Sequence, residues 1–109
     1  MKKFTHKLII ALLFVGFIST AQQNTKKKAQ KIANEMTQVL DLNRKESKAV
    51  YQVQLNRFNE GKSIKSQYSD QPEVRKEKLR LLGNRVYNDL KAVIGIERLK
   101  QWKQHRKNK

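Results

Sequence analysis

Along this chain apolar residues return every three or four positions, the spacing of one helix face, and they do not alternate as in a half-buried strand. Ala29, Ile32, Ala33, Met36, Val39 and Leu40 predict a first helix over 25–41. Lys26, Lys27, Lys28 and Lys31 load its start, where the helix dipole disfavours cations, so its first turn is expected to fray. Leu42-Asn43-Arg44-Lys45-Glu46 stops and restarts the pattern. Asn43 suits an N-cap, and Glu46 stands three residues on, where its carboxylate can reach back in a capping box. Val50, Tyr51, Val53, Leu55 and Phe58 continue a second helix over 44–68. Its apolar pattern thins around Gly61, an expected point of bending or fraying, and resumes at Ile64 and Tyr68. Asp70 as N-cap, Pro72 in the first turn and Glu73 as reciprocal partner open a third helix. Leu79, Leu82, Val86, Leu90 and Val93 form its stripe, and Gly95 is a good C-cap. A short fourth helix over 96–106 carries Ile96, Leu99 and Trp102 on one side, and Asn108 and Lys109 are expected to be disordered. The short turns predict an all-α fold: a small antiparallel helical hairpin or cradle of about four helices, the two long ones each flanked by a shorter one.

The first 21 residues break this periodicity. Lys2, Lys3 and Lys7 form a positive region, and Leu8 to Ile18 is an apolar run interrupted only by Gly16. Ser19 and Ala21 then place small side chains before a cleavage point between Ala21 and Gln22. This is the pattern of a secretory signal peptide over 1–21, followed by one helical domain over 22–109. The competing reading is an uncleaved inner-membrane anchor, but a spanning helix needs about 20 apolar residues, and this run is shorter. Cleavage implies a periplasmic or secreted protein. With no cysteine after the run, lipid attachment is excluded.

Charge narrows the partners. The whole chain carries +16, and Lys2, Lys3 and Lys7 are the only charges in the first 21 residues, so the remaining 88 residues carry +13. Such a surface favours anions: acidic polypeptide, lipopolysaccharide or phospholipid head groups, nucleic acid. Export makes nucleic acid the least fitting of these. A chain this short has a modest core and, with no cysteine, no disulfide to supplement it, so a homodimer is expected.

A shift of 52 residues lays Leu42 over Ile94, Asn43 over Gly95 and Val50 over Trp102. With the leader and the Leu42–Glu46 junction, the chain resembles the Spy/CpxP family of small periplasmic proteins. That family carries an LTxxQ motif, usually twice, at helix junctions. Leu42 matches it, Asn43 replaces the Thr with another N-cap, and Glu46 replaces the Gln with another capping-box partner. The second copy falls at Ile94-Gly95-Ile96-Glu97-Arg98, where cap and final residue both depart from the motif. The resemblance implies a thin dimeric cradle that binds unfolded envelope proteins without ATP, or an envelope-stress regulator.

Catalytic equipment is not expected, nor any cofactor or metal: cysteine is absent, His105 lies in a basic tail read as surface decoration, and the acids are scattered. Glu73 with Lys76 and Glu77 with Arg80 are expected helix-face ion pairs. The candidate binding surface is Tyr51, Phe58 and Tyr68 among Arg57, Lys62 and Lys65. Aromatic side chains in a basic field can draw in an acidic unfolded chain and then hold it by apolar contact. These aromatics can equally belong to the hairpin core or a dimer seam. The basic stretch 97–107 with Trp102 can pack on the third helix or lie weakly on an anionic membrane.

Overall fold

In the computed structural model residues 24–109 are described, and they form three helices with no strand among them: α1 over 24–40, α2 Arg44–Gln67 and α3 Pro72–Lys107. The leader over 1–21 and its Ala21–Gln22 cleavage point lie outside the described residues. No helix among the described residues is long and apolar enough to cross a membrane.

α1 is helical from residue 24, with Thr25 already buried, so its lysine-loaded first turn is formed. It ends where Asp41 takes a left-handed conformation, φ 53°. The Leu42 N–H then bonds back to the Thr37 carbonyl at 3.1 Å. This is a Schellman stop made with Asp in place of glycine, and it turns Leu42 into the core. One residue later Asn43 opens α2. Its side chain accepts from the Glu46 N–H at 2.8 Å, and its own N–H donates to Glu46 Oε1 at 3.0 Å, the full capping box. α2 runs unbroken through Gly61, with Leu82 of α3 packed opposite, so the expected bend there does not occur.

The start of α3 also differs from expectation. Gln71, not Asp70, is the N-cap, it makes no side-chain capping bond, and Pro72 is the first helical residue. The residue before a proline is driven to extended backbone, so Gln71 (φ −129°, ψ 76°) is the last non-helical residue. The turn is held instead by the Gln71 N–H on the Tyr68 carbonyl and by Arg75 on the Ser69 carbonyl.

The expected fourth helix is the second limb of α3. Gly95, at φ 85° and ψ 164°, breaks the helix within its length. The break redirects the limb so that Ile94, Leu99 and Trp102 enter the core while Ile96 stays 36% exposed, contrary to its expected place beside Leu99 and Trp102.

α2 and the first limb of α3 are antiparallel, with Glu60 and Arg85 paired across them. The second limb returns along α1 in the opposite direction. Gln101 donates to the Val39 carbonyl, and His105 meets Glu35. The shared core joins Met36 and Leu40 of α1, Val50 of α2, and Leu90, Ile94, Leu99 and Trp102 of α3. The tail is ordered by the same packing. Asn108 caps α3 on the Gln104 carbonyl, and Lys109 Nζ donates to Glu35 at 2.8 Å, so neither residue is the disordered end expected.

Candidate functional site

The face of α2 that carries Phe58, Gly61, Lys62 and Lys65 does not close against its neighbours. It forms one wall of an open cleft of about 700 Å³, with the first turn of α1 and the Leu79–Gly83 stretch of α3 as the others. Five cations line it: Lys27 and Lys28 from α1, and Arg57, Lys62 and Lys65 from α2. No carboxylate does. Phe58, Leu79 and Leu82 supply an apolar floor. The cleft exists because the packed stripe of α2 drifts: Val50 and Gln54 are fully buried, but beyond them glycine and polar residues replace large apolar ones.

Gln54 anchors the inner edge. It is 1% exposed, and its amide N–H points at the Met36 sulfur, a weak acceptor 3.7 Å away. Its carbonyl oxygen accepts from Arg57 Nη1 at 3.0 Å. The Arg57 guanidinium lies over the Phe58 ring, 5.1 Å from its centre. Burial, and then repulsion from Arg106 of the last limb, pull Arg57 below the ordinary arginine value. Both effects come from positive charge held close to a protein wall without a paired carboxylate, an arrangement an incoming anion would relieve.

Four of the six expected surface residues, Arg57, Phe58, Lys62 and Lys65, therefore meet in the cleft. The other two do not. Tyr51 is half-buried against the core and lines a separate small recess with Lys48, Thr37 and Ser47. Tyr68 is the C-cap of α2, with Lys78 5.9 Å from its ring centre. Sequence reasoning missed Lys27, Lys28 and the Leu79–Gly83 wall. The lysine load on α1 was the available signal, but only packing reveals that it faces α2.

At the opposite end the two helix junctions meet. Glu46 Oε2 accepts from Arg98 Nη1 at 2.7 Å, joining the last position of the first motif to its counterpart 52 residues on. Leu42 with Ile94, and Val50 with Trp102, superimposed by that same shift, are all buried in one core. The Asn43 backbone N–H, then Arg98, hold the Glu46 carboxyl below its ordinary value. Glu35 is lowered likewise, by Lys109 and then His105. His105 is thus no idle surface residue: it is half-buried, stacked on Trp102 at 5.5 Å, and bonded to Glu35 at 2.8 Å. The expected Glu77–Arg80 pair forms on the outer face of α3. No group of metal-binding side chains occurs among the described residues.

No family model matches this chain, and neither a curated protein nor a solved structure does.

Proposed function

We propose that this chain is an exported, Spy/CpxP-like binding protein that holds unfolded, acidic polypeptide without ATP. One observation carries the reading: a cleft lined by five cations and no carboxylate, floored by Phe58, Leu79 and Leu82. Long-range attraction brings an acidic chain to such a site, and apolar contact with the floor retains it. The motif-bearing junctions support the family assignment, because Glu46 and Arg98 occupy equivalent motif positions and bond to each other. The leader over 1–21 supports export to the periplasm. Action is by binding, not catalysis, with a second copy of the chain as the expected dimer partner.

The test is suppression of aggregation of a chemically denatured acidic client by the purified protein at low salt. Suppression that disappears at high salt is the expected outcome. No suppression at molar excess overturns the reading. Mass spectrometry of the native amino terminus tests export: Gln22 as first residue supports it, and an intact Met1 opposes it.

A further inference from the structure

We propose that the cleft between α1, α2 and α3 receives an extended acidic segment of polypeptide, and that Gly61 and Gly83 are side-chain-free so that the segment's backbone can lie close against the helices. The inference deepens the polypeptide-binding reading and rests on it.

Two independent features converge on the same place. The first is charge. Lys27, Lys28, Arg57, Lys62 and Lys65 face the cleft without a carboxylate among the lining residues, so its occupant is an anion. Neither available piece of this chain fits. The segment before Asn24 carries Lys2, Lys3 and Lys7 and no acid, and a second copy brings +16.

The second feature is glycine. Glycine weakens a helix interior relative to alanine, so one in mid-helix asks for a reason. Gly95 has one in its positive φ. Gly61 and Gly83 have none within the molecule. A Cβ on Gly83 would meet nothing within 4 Å, and one on Gly61 only ordinary contact with Leu82 at 3.8 Å. Both line the cleft. Bare backbone on two walls admits a narrow, extended chain, whose apolar side chains reach Phe58, Leu79 and Leu82 while its carboxylates meet the lysines. A flat bilayer surface does not enter a recess between helices.

Fluorescence anisotropy with the full chain tests this, using a short labelled peptide alternating glutamate and leucine, and a counterpart with lysine for glutamate. The expected result is binding of the acidic peptide alone. Gly83→Trp, which fills the cleft from an open wall, and the surface change Lys62→Glu each weaken it about tenfold or more at unchanged helix content. Gly83→Ala separates structure from function: it raises thermal stability yet weakens binding severalfold. Wild-type affinity in folded Gly83→Trp and Lys62→Glu overturns the cleft as the site, and wild-type affinity in a stabilised Gly83→Ala overturns the role of the glycine. Phosphatidylglycerol vesicles or a single-stranded oligonucleotide bound through these residues in place of the peptide overturn the polypeptide occupant. If client aggregation is suppressed equally by all variants, the chaperone reading stands and this inference falls. If the peptide binds in the cleft but clients still aggregate, the chaperone reading falls and the cleft stands.

Discussion

Glu46 has two carboxylate oxygens and spends them on different helices. Oε1 completes the capping box at the start of α2, and Oε2 receives Arg98 from the last limb of α3. Glu46→Gln keeps a capping-box partner but replaces a charge-assisted bond to Arg98 with a neutral one. The acid limb of stability follows from the same group. Glu35 and Glu46 both sit below the ordinary glutamate value of 4.5 in the folded chain. Their contribution is therefore present above that value and is lost as pH falls through their lowered folded values. Thermal melts across an acid series should show stability dropping below about pH 4.5, and less steeply in Glu46→Gln. An unchanged acid slope in that variant would remove Glu46 from the account. The cap itself was legible in Asn43 and Glu46, because it is local. The bond to Arg98 was not, although the shift of 52 residues had laid the two positions over each other. Gln54 was also illegible: a polar residue between Val53 and Leu55 reads as a spacer until packing buries it.

Gly95 decides the architecture at the scale of elements. Uninterrupted, α3 would extend for about 54 Å and carry its last residues away from α1. Its φ of 85° and ψ of 164° lie where glycine alone is comfortable, and the helix breaks there. Gly95→Ala should destabilise the fold by about 1–3 kcal/mol, read as a lowered denaturant midpoint with the slope unchanged. Equal stability would mean that the limb can dock through ordinary helical backbone. The apolar spacing located every helix to within a few residues, and Gly95 was read as a helix end. Spacing gave no direction for the limb that follows, which is why Ile96 was assigned to the core and Ile94 was not. At the other break Pro72 outweighed the capping chemistry of Asp70, because a proline restricts its predecessor whatever side chains stand nearby.

At the scale of the whole molecule, a charge of +16 makes the field around the chain positive on every approach, and the cleft concentrates it. Association with an acidic polypeptide should therefore slow markedly between low salt and about 1 M, where screening extends only about 3 Å, while dissociation from the apolar floor changes less. Stopped-flow rates would check this, and a salt-independent association rate would contradict it. All-α architecture and excess charge were both legible from composition and periodicity. The cleft was half legible, as residues of α2 without the facing walls, since which helices are neighbours is decided by docking. That docking also sets an order in time. α1 is made first, yet its bonds to Gln101, His105 and Lys109 join residues 62, 70 and 74 positions apart. Closing such long loops is entropically unfavourable until the intervening hairpin of α2 and α3 has shortened them. A chain emerging from a ribosome thus holds its first helix unclasped until nearly all of its sequence is out, and so remains threadable for as long as a translocation channel would need it to be.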